Sequence, residues 1–518
     1  MHQRNLWRAI VILAASIPSS LVNSQGTAAP ERTAEQVMPL VNSYCGACHA
    51  VPRPDVLAKR HWPAVIRNMV GIMQRRSGRA HITEQGMQDI IALYYGSAPE
   101  ELPALPILDD KGGGRIFVPR DIGAHSALPN ITHVNVARLT RAKTPELLVC
   151  DAEAHKLLLM RSVRGSWREQ PVGDLEVPVH TQAIDIDGDG DTDILAADLG
   201  QFPPLDAPVG KVWLFRQGPA GKFMRELVID QLGRVSDARA VDLDNDGDLD
   251  IAVAVFGGGD VGEVFWLENQ GKGFTAKALP KHALMQLSGA INVSPADLDG
   301  DGKVDLTVLV AQEHERVVAF VNRGAGEFEL QVIARGPHPM YGSTSLTTVD
   351  LDRDGDVDVL FTNGDAFDAQ TDPKPYHGVQ WLENKGALQF DYHDIGRFYG
   401  AATAQAGDLD GDGDLDVVAG SWVNYWNEPG RHVLVWYEND GKQAFTPHGI
   451  ATRPAGIASL QLADMNGDGA LDIVAGAIRM DLMLAKAGSE YRAGRLFPPA
   501  DGSPTLPRVM VFENRRNQ

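Results

Sequence analysis

Residues 408–421 read DLDGDGDLDVVAGS, and the first nine of them decide the fold. The pattern D-x-D-x-D-G-x-x-D recurs with small variation from Asp185, Asp242, Asp297, Asp350 and Asp464 as well as Asp408, at intervals of 57, 55, 53, 58 and 56 residues. So regular a period predicts units stacked in a row or arranged around an axis. Each unit keeps one order. An apolar strand enters the Asp loop, a second such as DIVAGAI (472–478) leaves it, and a third such as FWLENQG, QWLENKG or VWYENDG follows. A fourth opens with Phe, as at Phe274, Phe328, Phe390 and Phe445. Four short strands per unit of about 55 residues describe a propeller blade.

Upstream of Asp185 a weaker unit is visible, with Val134, Val136 and Leu139 leading to PELLVCD and KLLLMRS but no Asp loop. Counting it gives seven blades. The last unit stops after its third strand, VMVFENRR, and RIFVPRDIG from Arg115 resembles the fourth strand FDYHDIG. The expectation is that Arg115–Ile122 pairs antiparallel with Val509–Glu513, closing the ring and removing two sheet edges.

Carboxylates at loop positions 1, 3, 5 and 9 converge on one point if the chain turns sharply at position 6, and oxygen donors in that number suit calcium. Glycine holds position 6 in every loop, at Gly190, Gly247, Gly302, Gly355, Gly413 and Gly469. Position 7 varies to Lys303 and Ala470, so its expected donor is the backbone carbonyl. The expected ligand sets are Asp185, Asp187, Asp189, Asp191 and Asp193; Asp242, Asp244, Asp246, Asp248 and Asp250; and Asp297, Asp299, Asp301, Lys303 and Asp305. The others are Asp350, Asp352, Asp354, Asp356 and Asp358; Asp408, Asp410, Asp412, Asp414 and Asp416; and Asp464, Asn466, Asp468, Ala470 and Asp472, the last weakened by its Asn. Up to six Ca²⁺ ions are expected, with a structural role. The six loops hold much of the acid behind the net charge of −21, and the remainder of the chain is nearly balanced. The acidity therefore reads as metal ligation, and nothing in it favours nucleic acid as a partner.

The repeats resemble the FG-GAP repeats of integrin α-subunit propellers, called VCBS repeats in bacterial proteins. Gly342, Gly400 and Gly456 stand at the glycine of the FG element, and Ala475-Gly476-Ala477 where GAP would be. The resemblance implies a seven-bladed propeller over residues 115–518.

A different chemistry precedes the repeats. Residues 44–50 read YCGACHA, and C-x-x-C-H is the spacing at which two thiols reach the vinyl groups of one haem while the next His reaches its iron. A thioredoxin-like dithiol would need a βαβ setting and a zinc site more Cys or His at finger spacing, and neither is present. Cys45 and Cys48 are therefore the expected covalent attachments of one haem c and His49 its axial ligand. Two helices are expected after the motif, from Trp62 to Met73 and from Thr83 to Tyr95 with Thr83 as N-cap. Candidates for the second axial position are Met69, Met73, Met87, His61 and His81. The stretch resembles small class I cytochrome c domains with a W-x-x-V-x-x-x-M pattern, matched by Trp62, Val65 and Met69, and that resemblance implies Met69 as the ligand.

The expected architecture is thus multidomain: a small all-α cytochrome c domain over 31–98, a Pro- and Gly-rich linker over 99–114, and an all-β propeller with calcium loops. Residues 1–24, with Arg4 and Arg8 ahead of an apolar run, read as a secretory signal peptide, which implies a periplasmic or secreted protein. No apolar run is long enough to span a membrane. With three cysteines, a disulfide framework is excluded, and Cys150 reads as a buried thiol.

Two insertions follow second strands, TNGDAFDAQTDPKPYHG and SWVNYWNEPGRH, and are expected on the face opposite the Asp loops. The first offers Asp365, Asp368, Tyr376 and His377, of which Asp365 and His377 are the catalytic candidates. The second offers Trp422, Asn424, Tyr425 and Trp426, and Asp237, Arg239 and Tyr399 are expected near the same funnel. No nucleophile elbow, zinc-protease signature or dinucleotide fingerprint occurs. The expected function is electron transfer with a redox partner protein or a small organic substrate docked on the propeller. The alternatives are an oxidoreductase acting on such a substrate and a calcium-dependent adhesion or carbohydrate-binding protein.

Overall fold

The computed structural model describes residues 32–516 except 48, 78–81, 109–115, 141, 143, 203–205, 258–260, 272, 277–278, 367–372, 427, 455 and 481–504. The expected signal peptide, Cys48, His81, Asp368 and the glycines 112–114 of the linker lie outside the described residues.

Seven four-stranded antiparallel sheets form a seven-bladed β-propeller. Six are built from consecutive strands, beginning with Ile131–Ala137, Glu146–Asp151, Lys156–Val163 and Ser166–Asp174 of the first blade. The seventh combines Ile457–Ala463, Asp472–Ala477 and Leu506–Asn514 with Phe117–Ser126 from the other end of the chain. In that closure Val118 faces Glu513, Arg120 faces Val511 and Ile122 faces Val509, which is the antiparallel pairing expected from the sequence. Each second strand is buried along its whole length, as in Asp250–Val255 and Asp416–Ser421, because another blade covers each of its faces. The core lies between blades: Trp266 of the third packs with Val293, Val308 and Phe320 of the fourth.

One strand assignment needs correction. The fourth strand of the third blade is Lys281–Met285 and does not begin at Phe274. Phe274 is instead buried in the core shared by the second and third blades. An aromatic residue with a core position free beneath it serves packing before it serves the ladder.

Before the propeller come three helices: α1 (Ala34–Tyr44), α2 (Trp62–Ser77) and α3 (Glu84–Ser97). Thr83 caps α3, its hydroxyl accepting from Gly86 N. Trp62 and Tyr94 pack at 4.3 Å between ring centres, and each ties down the loop after the Cys motif, through Trp62 Nε1 to Pro54 O and Tyr94 OH to Pro52 O. Met340 of the propeller completes the core of these helices. The following segment is strapped to the propeller: Tyr399 OH accepts from Leu105 N at 2.9 Å, and Arg431 donates to Leu105 O. The helices therefore sit on the propeller face opposite the Asp loops, over the mouth of its central channel.

Closure by the terminal strand makes a direct prediction. Val511 pairs with Arg120 on one side and Val474 on the other. Val511→Pro removes a ladder donor from the middle of the seventh blade and leaves its acceptor unpaired, which should cost about 1–3 kcal/mol. Urea unfolding would read this as a lower midpoint; an unchanged midpoint would contradict the closure.

Candidate functional site

The Asp loops build from their local hydrogen bonds. In the first, Asp185 accepts from the backbone N–H groups of Asp189 and Gly190, and Asp189 accepts from Asp191 N. Gly190 takes φ 92° and the other five position-6 glycines 85–105°, the left-handed region that glycine alone enters freely. Five loops bring three carboxylate oxygens within 4.8 Å of one another: Asp185, Asp187 and Asp189; Asp242, Asp244 and Asp246; Asp297, Asp299 and Asp305; Asp350, Asp352 and Asp358; Asp408, Asp410 and Asp412. In the sixth, Asn466 stands in the second place, and Asp464 accepts from Gly467, Asp468 and Gly469 N.

Position 9 does more than face an ion. Asp250 accepts from Leu243 N at 2.9 Å and Asn269 N at 2.8 Å, one on each oxygen. Asp305, Asp358, Asp416 and Asp472 repeat this with position 2 of their own loop and with Asn322, Asn384, Asn439 and Asn514 after the third strand. Burial first, and then the neighbouring loop aspartates, raise these carboxyls against the lowering effect of the two backbone N–H groups, Asp250 to about 7 and Asp358 to about 6. The loopless first blade keeps the device: Glu146 starts its second strand and accepts from Leu139 and Thr140 N. Sequence reading missed this role, because a glutamate outside the D-x-D pattern carries no signal of it.

The donor set fits calcium, and the fit differs among loops. Arg216 already pairs with Asp187, and Arg323 with Asp299. The fourth loop lacks such an arginine, and Asp350 Oδ1 there is buried with no protein partner. An uncompensated buried carboxylate oxygen among three carboxylates is where a divalent cation contributes most.

In the helical part Cys45 carries a free, half-buried thiol on a 3₁₀ turn, Cys45–Ala47, and burial raises its pKa. His49 Nδ1 lies 2.8 Å from Ala50 O, which leaves Nε2 as the nitrogen for a metal. Both face a cavity of 2740 Å³ whose helical wall includes Trp62, Val65, Ile66, Met69, Met73 and Tyr94. Met87 and His61 do not line it. Met69 is 37% exposed, uncommon for a thioether on an apolar helix wall. An apolar pocket walled by a thiol, an imidazole with its second nitrogen oriented, and two methionines fits a covalently held haem.

The same cavity continues into the propeller channel and reaches as far as Asp185. The channel wall is made by first strands. Their third residues are His133, His180, Asp237, Asn292, Ser345, Thr403 and Ser459 in blade order. Several stitch one blade to the next by accepting from its fourth residue: His133 Nδ1 from Thr181 N (3.2 Å), Asp237 Oδ2 from Val293 N (3.1 Å), Asn292 Oδ1 from Leu346 N (3.1 Å) and Ser459 Oγ from Val134 N (3.1 Å). Asp237 also binds Arg239 Nε at 3.0 Å and lies 3.0 Å from His180 Nδ1.

Of the two catalytic candidates, Asp365 lines the cavity. His377 is fully buried within its loop, where Nδ1 accepts from Lys374 N and Gly400 N, and it does not reach the cavity wall. Burial first, and then Lys374, push its pKa well below the usual value. Tyr399 holds the strap instead of facing the funnel, and Asn424 is buried with its amide on His432 O. Cys150 is fully buried, which raises its pKa.

A family model described as FG-GAP-like repeat matches residues 185–253, 242–308, 305–361 and 422–475, so the chain carries FG-GAP-like repeats on its seven-bladed propeller. No curated protein matches it. Among solved structures, two crystal structures of BBS1N in complex with ARL6DN, one soaked with mercury and one with lead, align with a TM-score of 0.42 each. Their identities are 10% and 11%, over 78% of this chain and 98% of theirs. Among the described residues no helix is long and apolar enough to cross a membrane.

The two roles assigned to the loops separate by mutation. Asp358→Ala strands the buried N–H groups of Leu351 and Asn384 and should cost about 2–5 kcal/mol, with calcium or with chelator. Asp352→Ala, in the carboxylate cluster but without a buried N–H to strand, should leave the stability in chelator nearly unchanged and lower the increment that calcium adds. Urea unfolding in both conditions reads the difference; equal behaviour of the two variants would contradict the division.

Proposed function

We propose that this FG-GAP-repeat propeller is an extracytoplasmic electron-transfer protein carrying one c-type haem on Cys45 and Cys48. His49 and Met69 would hold its iron, and blades that calcium would brace form the platform next to it. The observation that carries the reading is the CGACH motif at the lip of an apolar cavity, with His49 Nδ1 held by Ala50 O. A haem held there supplies a one-electron Fe(III)/Fe(II) couple, with a potential raised by thioether ligation. The chain's own residues do the remaining work. Trp62 and Tyr94 brace the loop that follows the motif, Val65 and Ile66 keep water from one side of the pocket, and the strap at Leu105 fixes the pocket over the channel.

Docking of a redox partner or small substrate on the propeller follows from the shared cavity. Residues on the channel wall line the same cavity as Cys45 and Met69, so a molecule in the channel shares the space a haem would face. Calcium in the Asp loops, on the far face, braces the blades and takes no part in the redox step.

Protein matured in an oxidising compartment should stay red after denaturing acid extraction, and C45A/C48A protein should lose its colour. A colourless wild-type pellet would overturn the reading. Met69→Ala should abolish the long-wavelength methionine-to-iron band and lower the midpoint potential, while Met73→Ala leaves both in place. The reverse result would move the axial assignment to Met73.

A further inference from the structure

Seven first strands line the channel, and in five blades their third residues are small hydroxyl or amide side chains or an aspartate. The first two blades place His133 and His180 there instead, with ring centres 4.5 Å apart. His133 gives Nδ1 to Thr181 N as an acceptor, which assigns its proton to Nε2. His180 Nδ1 lies 3.0 Å from Asp237 Oδ1 without the alignment of a hydrogen bond, so its tautomer is open and Nε2 can donate or accept. Neither Nε2 has a protein partner among the described residues. Arg239 commits Nε and Nη2 to Asp237 and leaves Nη1 uncommitted, with its side chain 29% exposed. An imidazole donor, a second imidazole edge and a guanidinium edge therefore converge on one stretch of channel wall.

The charge of this group sets the class of ligand. Burial keeps both imidazoles below their usual pKa, His133 farther than His180, and the nearby Arg239 adds to the effect. Burial opposes ionisation of Asp237, but Arg239 and His180 outweigh it and hold the carboxyl below its usual range. The Asp237–Arg239 pair cancels, so the patch is neutral and rich in hydrogen-bonding groups. Glu153, Glu176, Asp206 and Asp365 also line the cavity, where acidic side chains outnumber the arginines Arg138, Arg234 and Arg239 and disfavour an anion. Phe202, Phe256 and Trp422 add apolar wall.

We infer that the channel beside His133, His180 and Arg239 is a binding site for a neutral polyhydroxylated molecule, a sugar or polyol. Its hydroxyls exchange a hydrogen bond with His180 Nε2 and accept from His133 Nε2–H and Arg239 Nη1. The inference rests on the reading that the propeller holds a small ligand below the haem, and it names that ligand's chemistry.

The test is calorimetric titration of the full-length, calcium-loaded holoprotein with glucose, mannitol and inositol, with gluconate as the anionic comparison. At least one neutral probe should bind saturably and gluconate about tenfold more weakly, and Arg239→Gln and His180→Asn should each weaken binding about tenfold. Asn keeps a donor toward Asp237 and lacks the outer nitrogen, so His180→Asn retains the stitching between blades; unaltered urea midpoints verify that both variants fold. No saturable heat from any neutral probe up to the order of 10 mM overturns the inference, as does affinity unchanged in both folded variants or a preference for gluconate. The haem absorbance of the same sample is read alongside. Its absence removes the electron-transfer reading and leaves the channel titration valid, and failed binding with the haem intact removes only this inference.

Discussion

A buried carboxylate at the start of each second strand is the interaction on which the rest of this propeller depends. In five blades with an Asp loop it accepts one backbone N–H from the loop it closes and one from the end of the third strand, while Asp193 accepts from Gln217 N on one oxygen and has no partner on the other among the described residues. Three segments of a blade are thus joined at one side chain with no protein donor left unpaired. The asparagine that supplies the second donor reaches on to the neighbouring blade, as Asn322 Nδ2 does to Leu243 O and Asn384 Nδ2 to Leu298 O. The lock in one blade therefore fixes the loop of the blade before it. Burying a charge in this way is costly unless its hydrogen bonds are complete, and the clustered aspartates raise that cost. A divalent cation over the loop would offset it.

Much of this was legible in one chain. The period of the Asp loops gave the blade count, and the resemblance of RIFVPRDIG to other fourth strands gave the ring closure in its observed register. Both signals are local and repeated, so they survive without any knowledge of neighbours in space. What stayed hidden depends on contacts between blades. Glu146 lies outside any motif, and its equivalence to Asp250 shows only when the strands are superposed. Phe274 reads as a strand opener, yet a core position draws it inward. His377 looks like a functional residue in an insertion, but Lys374 and Gly400 enclose it. His133 and His180 stand 47 residues apart in sequence, and only the curvature of the propeller brings their rings together.

The helical segment and the propeller share one cavity because Met340 enters the helical core and the strap at Leu105 is tied to Tyr399 and Arg431. This arrangement gives the sequence motif its meaning. A cytochrome-like pocket on a free tether would serve any partner, whereas one seated over a channel faces whatever the channel holds. The asymmetry of the channel wall, with two imidazoles and an arginine on one side and hydroxyls and amides elsewhere, gives that space a chemical orientation.

The most direct test of this account is diffraction from crystals of the mature protein collected at the iron absorption edge. The account predicts one anomalous iron peak inside the shared cavity, bonded to His49 Nε2 and facing the mouth of the propeller channel. An iron peak on the outer face of the helices, or none beside intact Cys45 and Cys48 thiols, would contradict it.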